Sequence, residues 1–334
     1  MNGCKIDVHH HIIPDAYQTL LNQLSEGKIK CSWKPEDSLN HMDSVGVQTA
    51  ICSISVPALM PVATKNKIKA REMAREMNEY MAGLYQKHPD RFGAFAVLPL
   101  PDVEGSLEAI KYALDVLQMD GIGLMSNYGP EYLGNSVFEP IMAELNRHKA
   151  VVYVHPGESL IPKEIVNTEF IPMDYFQEFC ILTTRAATNL VLSGTTERYP
   201  DIRFIFSHMG GAIPYLGWRV DTCFKGLLDE SQAPLSPFSA KQQDSWKSLK
   251  RSPMEYFSEF YFDTAIATNE TAFYAVNQMA PGHILFGTDA YYATVEQGKM
   301  FVTELERCYP DSKERYAIER GTAEKLFPRF CKNY

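Results

Sequence analysis

Apolar residues in this chain gather in short runs. Between the runs lie longer segments in which apolar residues recur every three or four positions. The runs fall at 5–11, 47–55, 92–100, 121–126, 151–155, 203–208, 259–266 and 283–289. They are nearly continuous rather than alternating, the pattern of strands covered on both faces. The intervening segments read as helices. "PEDSLNHMDSVG" opens on Pro35 and closes on Gly46, a proline at the start and a glycine just past the end. "KNKIKAREMAREMNEYMAGLYQKHP" is charged along one side and stops at Pro89. Eight strands, each followed by a helix, predict an α/β fold, a closed (β/α)8 TIM barrel in one domain spanning 1–334. The alternative, an open doubly wound sheet, normally carries a glycine-rich phosphate loop after its first strand, and here histidines stand in that place. Two irregular stretches, 12–34 and 231–252, are expected to cover the barrel mouth.

Composition narrows the function. The 334 residues are 45% hydrophobic and 22% charged, with a net charge of −9, and no basic stripe offers to neutralise phosphates. Nucleic acid is therefore not an expected partner. No apolar run is long enough to span a bilayer, and the N-terminal residues do not read as an export signal. Seven cysteines without CxxC spacing read as reduced thiols of a cytoplasmic protein.

The chemistry gathers at strand ends. "KIDVHHHIIP" runs from an apolar segment straight into Ile12, Ile13 and Pro14, so its histidines belong to the fold and are not a tag. Side chains alternate along a strand. If His9 faces the barrel interior, so does His11, while His10 turns outward to pack or hydrogen-bond. The fifth strand ends at His155, the sixth at His208 and the eighth at Asp289. The C-terminal ends of barrel strands converge on one site. His9, His11, His155 and Asp289 make a three-nitrogen, one-oxygen set suited to a divalent ion, with His208 beside it to move protons. Taken singly, a strand-end histidine is usually structural, and Asp289 alone reads as a helix cap. The matched positions carry the argument. His41, His88 and His148, on or at the ends of helices, read as solvated surface residues or favourable charges at helix C-termini, and His283 as a stabilising residue at the barrel bottom.

The HxH of the first strand, "VHP" on the fifth, "SHMGG" on the sixth and "GTD" on the eighth resemble the amidohydrolase superfamily. "GIGLMSNYGPEYLGNSVFEPIMAELN", "PMDYFQEF" and "YFDTA" resemble its metal-dependent non-oxidative decarboxylases, which act on hydroxybenzoates of the 6-methylsalicylate kind and on aminocarboxymuconate semialdehyde. The resemblance implies His9, His11, His155 and Asp289 as metal ligands and His208 and Asp289 as catalytic groups. It also implies a homodimer in which Arg219 reaches the neighbouring subunit's substrate. The loop at 12–34 has Lys28, Lys30 and Lys34 but no arginine, which argues against the muconate substrate. "DAYYAT" replaces the aromatic–proline pair that follows the last-strand aspartate in many relatives. The fourth strand has no lysine to bridge two metals, so one ion is expected: zinc, with manganese the alternative, and no organic cofactor.

The expected reaction is loss of carbon dioxide from an ortho-hydroxybenzoate, with Asp289 or His208 protonating the ring carbon. Asn127 and the stretch from Met173 to Phe179, Phe176 included, are expected as pocket wall, although an aromatic at a helix start is more often core. One rival is hydrolysis of a lactone, ester or amide at the same site. Another is a non-enzymatic metal or ligand sensor.

Overall fold

The computed structural model describes residues 4–26, 31–159, 174–228 and 238–331. Lys28, Lys30, Met173 and the first part of the 231–252 stretch lie outside the described residues. The barrel strands are β1 (Lys5–His11), β2 (Val47–Ser53), β3 (Phe92–Ala96) and β4 (Gly121–Met125). After a small antiparallel hairpin, β5 (Asn127–Tyr128) and β6 (Glu131–Tyr132), the barrel resumes with β7 (Val151–His155), β8 (Arg203–Phe206), β9 (Tyr261–Asp263) and β10 (Ile284–Leu285). Neighbouring barrel strands run parallel in the order β1-β2-β3-β4-β7-β8-β9-β10. The ring closes back on β1: Val8 N donates to Phe286 O at 3.0 Å, and Asp289 N donates to His9 O at 2.9 Å. A TIM barrel is what the pattern of runs predicted.

Several strands are shorter than their apolar runs. The run at 203–208 pairs only as far as Phe206, and the run at 283–289 only across Ile284–Leu285. Beyond these paired residues His208 (φ 54°) and Asp289 (φ 63°) sit in the left-handed region, although Asp289 N still reaches β1 at His9 O. Both residues carry polar side chains into the mouth.

Helices cover the outside of the ring. Lys67–Lys87 shows why: Ala70, Met73, Ala74, Met77, Met81 and Leu84 form one buried stripe at three- and four-residue spacing. Asn66 caps it, its side chain accepting from Lys69 N at 3.0 Å. Inside the ring, Ile6, Val8, Ile51, Phe95, Tyr153, Ile205 and Leu285 fill the lower half, and Phe327 and Phe330 join them from the C-terminal segment.

The stretches expected over the mouth behave differently from one another. The first contains a helix, Asp15–Leu24, whose Tyr17 hydroxyl donates to Ser55 O just beyond β2, at the mouth. The described part of the second forms a helix, Ala240–Ser248, whose Ser245 hydroxyl donates to Leu192 O. Leu192 ends the helix Glu178–Leu192, which runs away from the mouth after β7. That part of the excursion therefore braces the far end of the barrel wall.

Candidate metal centre

The site begins with an irregularity in β1. Asp7 pairs with Ala50 and His10 with Cys52, so two residues, Val8 and His9, stand opposite the single Ile51. This is a β-bulge. Strict alternation from the interior residues Ile6 and Val8 would turn His9 outward. The bulge inserts one residue and turns it inward, and alternation then carries His11 inward as well. His10 faces the helix layer as expected: its Nε2 lies 2.8 Å from the Ser38 hydroxyl and its Nδ1 lies 3.2 Å from Asp7 Oδ2.

One ligand atom from each of His9, His11, His155 and Asp289 lies within 4.8 Å of all the others, and the four residues are buried. His9 Nε2 and His11 Nε2 are 3.0 Å apart, and each stands 3.3 Å from Asp289 Oδ1. The other ring nitrogens are engaged behind this point. His9 Nδ1 is 2.9 Å from Asp263 Oδ2, His155 Nδ1 is 2.9 Å from Pro156 O, and His11 Nδ1 is 3.1 Å from the Ser53 hydroxyl. A carboxylate and a carbonyl can only accept, so His9 and His155 carry their protons on Nδ1. Their neutral forms then aim bare Nε2 lone pairs at the centre. Asp289 Oδ1 is buried and accepts no hydrogen bond. Imidazole nitrogens and a carboxylate oxygen converging on one point are a ligand set that suits a divalent cation.

For two of the three imidazoles electrostatics agree. Burial pushes His11 down, and pushes His155 well down with help from the neighbouring imidazoles. Both are therefore neutral, as ligands must be. Burial also acts to lower His9, but the carboxylates of Asp263 and Asp289 outweigh it and hold His9 up at about 10. Burial opposes ionisation of Asp289, yet His9, His11 and His208 keep its carboxyl well below the usual carboxylate range.

His208 stands outside the four-residue set. Its Nε2 is 3.5 Å from Asp289 Oδ2, the oxygen turned away from His9 and His11. The other expected site residues are placed less simply. Asn127 is buried, but both protons of its amide are spent on Gly129 O and Glu158 O, each at 3.0 Å, while its oxygen accepts from the Ser126 hydroxyl at 2.8 Å. It ties the segment after β4 to the segment after β7 and has no donor left to offer a ligand. Phe176 is 57% exposed and stacks on Tyr175 at 4.9 Å, so it is not core. From the same motif Phe179 turns its ring to His155 at 5.9 Å. Arg219 is exposed on the helix Ile213–Leu228, beside exposed Tyr215 and Trp218. In "DAYYAT" it is Tyr292 that meets the centre, its ring 5.4 Å from that of His11.

Two residues depart from the sequence reading. His41 is buried rather than solvated, because its helix turns that position onto His10, and burial pushes it down to about 4. Asp263, at the end of β9, was not among the expected site residues. The rule that found His155, a polar residue ending an apolar run, applies equally to "FYFDTA".

A closed parallel barrel with a His/Asp metal site at its C-terminal strand ends defines the class: a metal-dependent barrel enzyme. The amidohydrolase family profile matches residues 6–329, and the chain belongs to that family. Decarboxylase macB of Penicillium terrestre is 35% identical over 343 residues, spanning 98% of this chain and 95% of that protein. The 6-methylsalicylic acid decarboxylase of Penicillium expansum is 34% identical over 332 residues, spanning 97% and 96%. Among solved structures, a dihydroxybenzoic acid decarboxylase from Polaromonas sp. JS666 with bound manganese superposes with a TM-score of 0.79 at 22% identity, covering 99% of this chain and 98% of that one. At that identity the likeness bears on the fold alone. The relatives are carboxy-lyases, the branch of the family that the motifs resembled.

Proposed function

We propose that the protein is a metal-dependent non-oxidative decarboxylase of an ortho-hydroxybenzoate of the 6-methylsalicylate type. The observation that carries this reading is the buried His9–His11–His155–Asp289 set, in a chain whose relatives of 34–35% identity over nearly its whole length are decarboxylases. These four residues would hold one divalent ion, zinc or, as in the Polaromonas structure, manganese. Such an ion would supply a Lewis acid for an aromatic acid bound beside it.

Decarboxylation breaks the bond between ring and carboxyl carbon. The electron pair stays on the ring carbon and takes up a proton, and carbon dioxide leaves. The proton comes from solvent, and two side chains are placed to pass it to the ring carbon: His208 through Nε2, and Asp289 through Oδ2 once that carboxylate has taken it up, the two atoms being 3.5 Å apart. The rings of Phe179 and Tyr292 flank the centre and would hold an aromatic acid against it while limiting water. We further propose a homodimer formed through the exposed face of Tyr215, Trp218 and Arg219, with Arg219 serving the neighbouring subunit's site. Among the described residues no helix is long and apolar enough to cross a membrane.

The test is anaerobic incubation of the metal-loaded protein with 6-methylsalicylate and related hydroxybenzoates. Stoichiometric carbon dioxide and the matching phenol, lost on chelation, are expected. Turnover of a lactone, ester or amide panel without carbon dioxide release would replace this reading with the hydrolytic one.

A further inference from the structure

Asp263 uses both oxygens twice. Oδ2 accepts from the His9 ring at 2.9 Å and from the Tyr153 hydroxyl at 3.3 Å. Oδ1 accepts from the backbone N–H groups of His208 and Ala265, each at 3.0 Å. The residue is fully buried. One carboxylate therefore grips a member of the metal set through its side chain and the neighbouring proton-handling histidine through its main chain. His208 needs that grip: it sits at φ 54°, outside the β8 ladder, where the sheet no longer holds it.

We infer that Asp263 is a positioning residue that sets the tautomer of His9 and, through the same carboxylate, locks His208 in register with the metal centre. This rests on the reading of the His/Asp set as a metal site. The argument is one of donors and acceptors. All four partners of Asp263 donate, so the position requires an acceptor on both sides. An asparagine offers one acceptor and one donor. Turned one way, its NH2 opposes the backbone N–H groups, which cannot change, and the His208 turn is displaced. Turned the other way, its NH2 faces His9 Nδ1 and drives the ring proton to Nε2, the atom aimed at the metal. Either orientation weakens the centre, although the substitution changes almost no volume.

The test is Asp263→Asn in the full-length protein. Zinc affinity is measured by titration against a competing chelator, and the thermal midpoint of the metal-free protein is followed in parallel. Zinc binding is expected to weaken about 10–100-fold, the usual cost of removing a partner of a metal-ligating histidine. Tyr153→Phe keeps the carboxylate and removes one donor, so its loss should be clearly smaller. Wild-type zinc affinity in Asp263→Asn, with only a lowered midpoint, would make the residue merely structural and overturn the inference. If Asp263→Asn does not fold, ring-nitrogen NMR of the zinc-loaded wild type decides: a protonated Nδ1 on His9 is expected, and a protonated Nε2 overturns it. Wild-type protein that binds no zinc or manganese would sink the metal reading itself, a result distinct from zinc binding that is indifferent to residue 263.

Discussion

Replacing His208 separates proton handling from metal holding. The choice of substitution follows from the backbone. At φ 54° an alanine would add about 1 kcal/mol of left-handed strain, whereas asparagine tolerates that conformation, so His208→Asn is the cleaner probe. The main-chain bond from His208 N to Asp263 Oδ1 does not depend on the side chain and should survive. What disappears is the imidazole 3.5 Å from Asp289 Oδ2. His208 is not one of the four residues whose ligand atoms converge, so metal content should stay at the wild-type level. The rate should fall by about 10²–10⁴-fold, the usual contribution of a positioned acid or base, equivalent to about 3–5 kcal/mol of barrier. The assay is carbon dioxide release from 6-methylsalicylate at saturating metal, with bound metal determined on the same sample. Loss of the metal would place His208 among the ligands. Full metal with a rate within tenfold of wild type would give the proton step to Asp289 alone. The first result refutes the separation of His208 from the metal set, and the second removes His208 from the proton step.

Other substitutions probe the surrounding structure. His9→Ala and Asp289→Ala each remove one of four converging ligands, so elemental analysis should find less than stoichiometric metal and little turnover. His41, depressed to about 4, lets the unfolded chain take up a proton first as pH falls below its ordinary 6.5. Its contribution is therefore fully present above pH ~6.5 and lost towards pH ~4; allowing for partial solvent screening it amounts to about 2 kcal/mol. Urea midpoints at several pH values should show a shallower acid decline in His41→Gln, and identical slopes would refute the assignment. Gly211→Ala places a Cβ 2.2 Å from Cys180 O at φ +65°, three residues beyond His208. It should cost at least about 2 kcal/mol in urea unfolding and lower activity with it; an undisturbed midpoint would contradict the packing described.

Much of this protein could be read along the chain. Eight apolar runs separated by helical periodicity specify a parallel barrel, since strands covered on both faces and joined by helices have few other ways to bury themselves. Polar residues at the ends of those runs, His155, His208 and Asp289, marked the site because a barrel brings such ends together. That His9 and His11 share a face followed from alternation within the pair. Which face they share did not. It depends on a bulge opposite Ile51, and a bulge is a property of two paired strands, not of one segment. The same limit explains the other differences. Asn127 is spent because Glu158 O, thirty-one residues away, takes one of its protons. His41 is buried because its helix lands on His10. Phe179, not Phe176, turns to His155 because the first turn of its helix sets the direction of its ring. Asp263 becomes the support of the centre only when β1, β7, β8 and β9 stand side by side. Residue type and spacing determined which groups could serve a metal; the tertiary structure decided which of them have hydrogen-bonding capacity left, because that capacity is consumed by partners distant in sequence.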